Sequence, residues 1–477
     1  LQKLGWRFIA PETLDTERAS MREVLLVPRL ERAIRRLNPW ITDENVSRVV
    51  RSIATVQAAS LMEANETLHT MLTYGVSVTQ DTGDGLGMKS RTVNLIDFND
   101  PLNPERNEFV FTRQFSVQNV KNHTIIPDIV LFVNGVPLAV IECKSPKITE
   151  PMAEAIKQLH RYQETEDRFE NLGAPKLFET VQIVAGICGV KAQYATIGTP
   201  KAFWGEWKIP YPLTLDEFQK QEGGVSPQSI LLYGLFRRDT FLDLIRNFIV
   251  FEVDGGRTIK KLARYQQYIA VNRAIERILT REGKRRGGVV WHTQGSGKSL
   301  TMLYMALKLR RIPKLENPTL VIVTDRIDLD RQISGTFKAC GFPNPEQATR
   351  IKHLKELLAS HSGKTILTTV QKFGGINEAI TEAENIFVMV DEAHRTQYKS
   401  LAARMRLALQ NACFLGFTGT PIDKKDRSTF ETFGDYIHTY TIEQAVQDGA
   451  TVPIYYESRL PEVAIIGETI DEVFNRV

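Results

Sequence analysis

From residue 287 onward, short apolar runs alternate with longer helix-like runs, and this alternation restricts the fold more than any other feature of the chain. Five of the apolar runs fit buried strands: GGVVWH, TLVIVTD, TILTTV, IFVMVDE and CFLGFTGTP. Strands that are buried on both faces and separated by helices form parallel sheets, because a parallel crossover needs a dozen or more residues. We therefore expect a parallel α/β domain in the second half.

A glycine-rich turn within HTQGSGKS, at 292–299, joins the first of these strands to the helix-like run SLTMLYMALKLRR. Backbone N–H groups of such a turn and of the following helix start bind phosphate oxygens. Here those groups belong to Gly295, Ser296 and Gly297. Lys298 can reach the β- and γ-phosphates, and the Ser299 hydroxyl can ligate Mg²⁺. Although His292 replaces the glycine that opens the strict pattern, the context predicts a site for ATP and Mg²⁺.

Two carboxylates, Asp391 and Glu392, follow the apolar run IFVMV. A buried parallel strand delivers such residues to the carboxyl edge of its sheet, where ligands of open α/β sheets bind. An Asp-Glu pair that merely opens a solvated helix is common, but this pair follows a buried strand downstream of GSGKS. We therefore expect Asp391 to hold Mg²⁺, and Glu392 to orient and deprotonate an attacking water.

In the first half, charged residues bracket the stretch PDIVLFVNGVPLAVIECKSP, residues 127–146, whose interior is almost wholly apolar. Asp128 stands at one end, Glu142 and Lys144 stand at the other, and Asn134-Gly135 marks a turn between them. Two carboxylates can hold Mg²⁺ against a scissile phosphate, and a lysine can offset the charge that develops there. The stretch predicts a rigid hairpin that carries a metal-dependent nuclease site.

The register of this hairpin is a strict condition for that site, because neighbouring positions of a strand point to opposite faces. A plain two-residue loop would pair Asp128 with Ile141, and Glu142 would then lie on the other face. We therefore expect a three-residue loop at 134–136 or a β-bulge. Pro137 would then fall at the first strand position, where its missing N–H is tolerated.

The overall pattern predicts two main parts. Helical spacing covers about 42–72, with Gly75 as a helix C-cap, and strand-like runs RTVNLIDF, EFVFTRQFSV and TVQIVAGI indicate a mixed sheet. FLDLIRNFIVFE is predicted to be an amphipathic helix. The expected fold class is α/β, a mixed-sheet domain followed by a parallel-sheet domain. The expected bounds are 1–252 for the first domain, 253–258 for a linker, 259–455 for the second domain, and 456–477 for the start of an incomplete following region.

Composition excludes several classes of protein. The net charge of +4 is compatible with nucleic acid but does not indicate it. The four cysteines lie far apart without a CxxC pair, which is typical of a reducing cytosol and of neither a disulfide framework nor a zinc site. No apolar run approaches the ~20 residues of a membrane span, and no secretory signal opens the chain. We expect a cytoplasmic protein, and since the chain begins with Leu and stops within a pattern, we interpret it as part of a longer one.

QGSGKS, DEAH and TGTP, in that order, resemble the first motor domain of superfamily 2 helicases and translocases, a RecA-like fold. VTDRIDLDRQ and TTVQKF lie where that superfamily has its DNA-backbone motifs, so the resemblance makes Arg326 and Thr369 candidate DNA contacts. RYQQYIAV resembles the upstream adenine-reading motif, with Gln267 as the reader, since an amide donates and accepts at once. By the same resemblance, His394 and Thr418 would couple the state of the nucleotide to the DNA-binding face.

PD…ECK followed by QLHRY resembles the PD-(D/E)xK nucleases of the RecB-like branch, whose QxxxY motif lies beside the catalytic carboxylates. Gln158 and Tyr162 match that motif and share a helix face. VNGVPLAVIECKSP ahead of a superfamily 2 motor, with YGVSV, VNLIDFNDP and GATVPIYYESR, closely resembles the R subunit of type I restriction enzymes across both halves. The resemblance implies an endonuclease and translocase that uses ATP and Mg²⁺, acts on duplex DNA, and assembles with methylase and specificity subunits.

The chain departs from the nuclease pattern at two points. Cys143 fills the middle position of ExK, where we expect it to face away from the site. The third metal ligand, an upstream acid in related nucleases, is not evident, and Glu63 and Glu66 are the candidates.

Three other functions stay open. A repair helicase–nuclease would need no methylase. A DEAH-type RNA helicase fits less well, because TGTP differs from the Ser-Ala-Thr of that family. A degenerate nuclease that serves only as a docking module is disfavoured by the intact Asp128, Glu142 and Lys144.

Overall fold

A computed structural model describes residues 1–81, 87–325, 327–342, 345–360, 363–393, 398–420 and 432–452. The predictions made for Arg326, for His394 and for the region 456–477 therefore lie outside the described residues.

The first half is built on a mixed sheet with helices packed around it. Its strands are β1 (Arg7–Phe8), β2 (Val76–Asp81), β3 (Met88–Val93), β4 (Phe109–Arg113), β5 (Val117–Gln118), β6 (Thr124–Ile125), β7 (Ile129–Val133), β8 (Val136–Cys143), β9 (Ile183–Ile187), β10 (Ala192–Ala195), β11 (Ile249–Asp254) and β12 (Arg257–Leu262). Its helices are α1 (Pro11–Asp15), α2 (Val27–Leu37), α3 (Asp43–Ala54), α4 (Leu61–Tyr74), α5 (Pro151–Gln163), α6 (Pro175–Phe178), α7 (Leu215–Glu222), α8 (Pro227–Phe236) and α9 (Arg238–Asn247).

Six of these strands form one sheet in the order β1-β4-β7-β8-β9-β10, while β2–β3, β5–β6 and β11–β12 pair as separate two-stranded ribbons. The sheet is mixed, because β8 runs parallel to β9 but antiparallel to β7. All of β7 except Ile129 and all of β8 except Cys143 are buried, as their continuous apolar sequence requires. The predicted mixed sheet is therefore confirmed, and its central hairpin is the one that carries the acidic residues.

The second half is a parallel sheet covered by helices. Its strands are β13 (Gly288–His292), β14 (Thr319–Thr324), β15 (Pro345–Gln347), β16 (Thr365–Thr369), β17 (Ile386–Asp391), β18 (Cys413–Thr418) and β19 (Tyr436–Tyr440). Its helices are α10 (Tyr265–Thr280), α11 (Lys298–Arg310), α12 (Ile327–Ala339), α13 (Ile351–Ala359), α14 (Tyr398–Ala408) and α15 (Ile442–Gln447). The strand order is β15-β16-β14-β17-β18-β13-β19, and every pairing is parallel. All five predicted strands are present, and the edge strands β15 and β19 were not predicted.

Three local predictions need correction. The helical stretch 42–72 is two helices, α3 and α4, with Thr42 and Ser60 as side-chain N-caps. FLDLIRNFIVFE is a helix only to Asn247, because its β-branched end continues as β11. The stretch 253–258, predicted to be a linker, is the end of the paired ribbon β11–β12.

The ribbon β11–β12 is anchored because Lys260 is buried in the first half. Its Nζ lies 2.7 Å from Asn65 Oδ1 and 2.6 Å from Gln182 Oε1. Burial strongly lowers the pKa of Lys260.

The two halves share one continuous apolar core rather than a flexible joint. Polar contacts add to it: Lys308 on α11 binds Asp243 on α9 at 2.6 Å, and the same Nζ donates to Asn272. The helix that follows the phosphate-binding turn is therefore fixed against the nuclease-like half.

Candidate functional site

The hairpin β7–β8 brings Asp128 and Glu142 to one face by means of a β-bulge. Near its open end the pairs are Ile129 with Ile141, Val130 with Val140 and Leu131 with Ala139. The register then shifts by one residue, so that the turn at Asn134-Gly135 still has two residues. The expected bulge is confirmed, but Pro137 is the second residue of β8, whereas the prediction placed it first; it is tolerated because it lies beside the bulge.

The turn of this hairpin is buried and tightly held. Asn134 and Gly135 have φ angles of 52° and 84°, as a tight two-residue hairpin turn requires. The Asn134 side chain accepts from Glu108 N and donates to Leu95 O. A Cβ on Gly135 would lie 2.6 Å from Leu26 O, so α2 packs directly on the turn. This packing fixes the far end of the hairpin and with it the register at the acidic end.

At the acidic end, Asp128 and Glu142 are linked through backbone N–H groups. Asp128 N donates to Glu142 Oε1 at 3.3 Å, and Cys143 N donates to Asp128 Oδ2 at 2.8 Å. Glu142 is fully buried, and Cys143 is exposed, which agrees with the expectation that it faces away from the site. Burial first, and the Asp128 charge second, raise the pKa of Glu142 to about 8. The hairpin therefore holds two close carboxyl groups that resist being ionised together.

Lys144, Gln158 and Tyr162 complete this cluster as one chain of hydrogen bonds. Lys144 Nζ lies 3.3 Å from Glu142 Oε2 and 2.5 Å from Gln158 Oε1. Gln158 Nε2 donates to the Tyr162 hydroxyl at 2.5 Å, and that hydroxyl donates to Ile126 O. Burial, and then Glu142, raise the pKa of Tyr162. The QxxxY face of α5 thus lies beside the carboxylates, as expected, and the contact of Gln158 with Lys144, which was not predicted, holds the lysine next to Glu142.

The structure gives no support to the two candidates for a third acidic ligand. Glu63 accepts from Ala59 N at the start of α4, and neither Glu63 nor Glu66 is among the charges that shift the pKa of Glu142. Across the described ranges, no group of three or more His, Cys, Asp or Glu side chains is arranged to hold a metal ion.

The phosphate-binding turn lies between β13 and α11. Gly295 and Gly297 have φ angles of 83° and 85°, a region that favours glycine, and Ser296 Oγ donates to Thr293 O. α11 begins at Lys298 and includes Ser299, so that both lie at a helix N-terminus. His292 is buried against His438, its Nε2 2.9 Å from His438 Nδ1. A histidine fits at 292 because its ring packs against His438 and Tyr440 of the edge strand β19.

Two carboxylates stand at the end of β17, and Glu392 faces this turn. Asp391 ends the strand and is buried, while Glu392 follows with a φ of 53° and its Oε1 3.9 Å from Lys298 Nζ. Gly419 also lies beside this lysine, since a Cβ there would lie 2.8 Å from the same Nζ. Gly419 was quoted within TGTP but not predicted as a site residue. Glu392 and Gly419 therefore both lie next to Lys298 of the phosphate-binding turn.

Three further predicted residues are placed as follows. The Gln267 amide accepts from Arg264 N at 2.9 Å and donates to Gly297 O at 3.1 Å. Thr369 ends β16 at the carboxyl edge, and its hydroxyl accepts from Lys372 Nζ at 3.3 Å. Thr418 is buried, and its hydroxyl donates to Thr420 O and accepts from Thr420 N within the TGTP motif.

Comparison with known protein families divides the chain as the fold does. Residues 1–202 match the family model "Type I restriction enzyme R protein N terminus", and residues 266–477 match "SWI2/SNF2 ATPase". No helix in the described part of the chain has the length and apolarity that crossing a membrane requires.

Individual relatives align along the whole chain. A protein of Methanocaldococcus jannaschii, assigned as the MjaIXP endonuclease subunit of a type I restriction enzyme, is 34% identical over 100% of this chain and 46% of its own length. The type I restriction enzyme HindI endonuclease subunit of Haemophilus influenzae is 37% identical over 96% of this chain and 45% of its own length. The chain spans about half the length of these curated relatives.

Among solved structures, a fragment assigned to an HsdR subunit of a type I restriction enzyme from Vibrio vulnificus YJ016 is 16% identical. It covers 71% of this chain and 56% of that chain with a TM-score of 0.30, a likeness too loose to carry an argument.

Proposed function

The chain is homologous along its length to the endonuclease subunits of type I restriction enzymes, and from that premise we propose that it is the ATP-dependent translocase and Mg²⁺-dependent endonuclease subunit of such a system. In this proposal it cuts duplex DNA away from the site that partner subunits recognise. The observation that carries the proposal is the bulged hairpin, which gathers Asp128, Glu142 and Lys144 on one face, in the same chain as a P-loop ATPase domain.

The acidic pair fits a divalent cation. These two carboxyl groups are costly to ionise together, first because Glu142 is buried and second because Asp128 lies close to it, and both causes raise the pKa of Glu142. A cation between them would remove the cost and keep both ionised. When bound, Mg²⁺ polarises a phosphate and makes hydroxide available near neutral pH.

The other residues of the nuclease cluster have supporting roles in this proposal. Lys144 places a positive charge next to Glu142. There it would offset the negative charge that develops on the scissile phosphate. Gln158 orients that lysine, and Tyr162 holds Gln158 through its hydroxyl.

In the motor half, Lys298 would contact the β- and γ-phosphates, and the N–H groups of the turn would bind the phosphate oxygens. Ser299 and Asp391 would hold Mg²⁺, and Glu392 would orient the attacking water. Thr369 remains a proposed DNA contact at the carboxyl edge of the sheet. Since Thr369 is 5% exposed, DNA would have to displace Lys372 from its hydroxyl.

The partners we propose are duplex DNA and the methylase and specificity subunits, in the cytoplasm, where ATP and DNA are both present.

The competing proposal is a repair helicase–nuclease that acts without a methylase. A cleavage assay on plasmid DNA distinguishes the two, because a restriction subunit should cut only when assembled with both partner subunits on DNA that carries their site. Cleavage by the chain without them would favour the repair enzyme.

The nuclease assignment is tested by Asp128→Ala and Lys144→Ala in the assembled complex. Each should stop plasmid linearisation and leave the DNA-dependent ATPase rate within about twofold, because the two sites use separate residues. Lys147→Ala is the matched control, since this exposed lysine lies three residues from Lys144. Normal linearisation by either variant would remove that residue from the proposed site.

A further inference from the structure

The short β5–β6 ribbon leads directly into the nuclease site. Val117 pairs with Ile125 in this ribbon, and residues 119–123 form its turn. Three residues after β6 ends at Ile125, the chain reaches Asp128. The placement of the ribbon therefore affects the placement of Asp128, one of the two carboxylates of the site.

Asn119, at the start of this turn, makes four hydrogen bonds with its side chain. Its Oδ1 accepts from Lys121 N and from His123 N, both at 2.9 Å, and these bonds close the turn. Its Nδ2 donates to Asn171 O at 3.0 Å and to Gly173 O at 2.9 Å, and these bonds tie the turn to the loop after α5. An amide has two donors and two acceptor lone pairs, so the side chain of Asn119 is fully used.

The loop that Asn119 binds is packed against the end of α5. Ala174 N donates to Tyr162 O at 2.9 Å, and Gly173 N donates to Glu164 Oε1 at 2.9 Å. A Cβ on Gly173 would lie 2.5 Å from Tyr162 O, so a larger residue would push the loop and the helix apart. Asn119 is therefore linked, through this loop, to the backbone of Tyr162.

The side chain of Tyr162 holds the other end of the same ribbon. Its hydroxyl donates to Ile126 O at 3.3 Å, two residues before Asp128, and accepts from Gln158 Nε2. Tyr162 is 2% exposed, so the ring is fixed by its surroundings. Two separate contacts with the α5 region therefore hold the ribbon, one at its turn through Asn119 and one at its base through Ile126.

Asp128 depends on this ribbon more than Glu142 does. Asp128 lies one residue before the first pair of the β7–β8 hairpin, which is Ile129 with Ile141. Glu142 lies within β8 and pairs on the other side with Gly186 of β9. The sheet therefore fixes Glu142, whereas the segment that precedes Asp128 contributes to its position.

We propose that Asn119 is a positioning residue for the metal site. By tying the ribbon to the loop after α5, it keeps Asp128 where it can share a Mg²⁺ ion with Glu142. The proposal rests on the nuclease function proposed above. Residues that hold metal ligands in place, without touching the metal, commonly account for about 10–100-fold in metal affinity or activity.

Asn119→Asp separates the two roles of this side chain. The carboxylate keeps the oxygen that accepts from Lys121 N and His123 N, so the turn can still close. It replaces the Nδ2 donor by an oxygen that repels the carbonyl oxygens of Asn171 and Gly173, so the tie to the loop is lost.

Two further variants accompany it. Gly173→Ala disturbs the same tie from the other side, because its Cβ meets Tyr162 O. Asn122→Asp is the matched control, since it makes the same chemical change at an exposed position of the same turn. The aspartate there keeps an oxygen that accepts from Arg22 Nη2.

The first measurement is metal binding by this chain without nucleotide, at pH 7.5. It determines the Mg²⁺ concentration that gives half of the maximal rise in Tm, because a ligand that binds the folded state raises its stability. Asn119→Asp and Gly173→Ala should each raise that concentration about tenfold over wild type, and Asn122→Asp should leave it unchanged.

The second measurement is plasmid linearisation by the assembled complex over a series of Mg²⁺ concentrations. The linearisation rate is divided by the DNA-dependent ATPase rate at the same Mg²⁺ concentration, which removes the metal requirement of the motor half. The two variants should again need about tenfold more Mg²⁺, and at saturating Mg²⁺ they should cut within about threefold of the wild-type rate, because no metal ligand is removed.

The outcomes separate this inference from the nuclease function. If wild type shows neither a rise in Tm with Mg²⁺ nor cleavage, the nuclease function is wrong and the positioning role is wrong with it. If wild type responds and both variants respond at the wild-type Mg²⁺ concentration, the nuclease function stands and Asn119 does not position the site. A lower maximal rate at an unchanged Mg²⁺ midpoint would also overturn the inference, since it would indicate less folded protein and not weaker metal binding. If Asn119→Asp lacks a cooperative unfolding transition, the midpoints of Gly173→Ala decide.

Discussion

Replacing Glu142 by glutamine should make the metal-free protein more stable, and increasingly so as the pH rises. Burial and the neighbouring Asp128 raise the pKa of Glu142 from its ordinary 4.5 to about 8. Between these two pH values the folded protein keeps a proton that the unfolded chain has lost, so stability falls as the pH rises through this window. Glutamine has the same shape and carries no such cost.

The magnitude follows from about 1.4 kcal/mol for each pKa unit. Between pH 5.5 and 7.5 the advantage of Glu142→Gln over wild type should grow by roughly 2–3 kcal/mol, which is about 5 °C or more in Tm for a domain of this size. Above pH 8 the advantage should level off, because the folded carboxyl is then ionised too.

Thermal unfolding in EDTA at pH 5.5, 6.5 and 7.5 measures this growth, with Glu179→Gln as the control. Glu179 is a partly exposed carboxylate whose side chain pairs with Lys176 at 2.6 Å. Adding Mg²⁺ at pH 7.5 should raise the Tm of wild type and leave that of Glu142→Gln nearly unchanged, because the cation needs both carboxylates. A difference between wild type and variant that stays constant from pH 5.5 to 7.5 would refute the reasoning, since it would mean that Glu142 is ionised throughout.

Three other substitutions test the remaining parts of the molecule. Lys298→Ala should abolish the proposed ATP-driven translocation in a triplex-displacement assay, because it removes a charge-assisted phosphate contact worth roughly 1.5–3 kcal/mol. Displacement at the normal rate would contradict the role proposed for the phosphate-binding turn. Gly135→Ala should lower the free energy of unfolding by about 1–3 kcal/mol, because alanine is strained at a φ of 84° and its Cβ would lie only 2.6 Å from Leu26 O. Denaturant unfolding that matches wild type would show that the turn relaxes without cost. Lys308→Met should lower the free energy of unfolding by about 1.5–3 kcal/mol, because it breaks the contact with Asp243 across the two halves. The exposed Lys314→Met is the control. Equal stability of the two variants would mean that the contact adds nothing.

The sequence determined the features that depend on local patterns. Apolar runs bounded by turns predicted β13, β14, β16, β17 and β18, since a strand buried on both faces must be apolar throughout. The glycines at 295 and 297 predicted the phosphate-binding turn, because the left-handed φ values found there favour glycine. The requirement that Asp128 and Glu142 share a face even predicted an irregular hairpin, because strand geometry allows no other way to join them.

Tertiary structure decided what depends on distant partners. The sequence permitted a three-residue loop or a bulge, and the packing of α2 on Gly135 accompanies the bulge. The stretch 253–258 is polar and glycine-containing, as linkers are, yet it belongs to a ribbon whose Lys260 binds Asn65 and Gln182. Gln266 and Gln267 are adjacent and chemically identical, so the sequence does not distinguish them. In the structure, the Gln267 amide is hydrogen-bonded to Arg264 N and Gly297 O, whereas the buried Gln266 amide has no hydrogen-bond partner among the described residues. Local sequence patterns predict features that depend on a residue's own backbone conformation and immediate neighbours. They do not predict the hydrogen-bond partners of a buried polar group, because those partners come from segments far away in the chain.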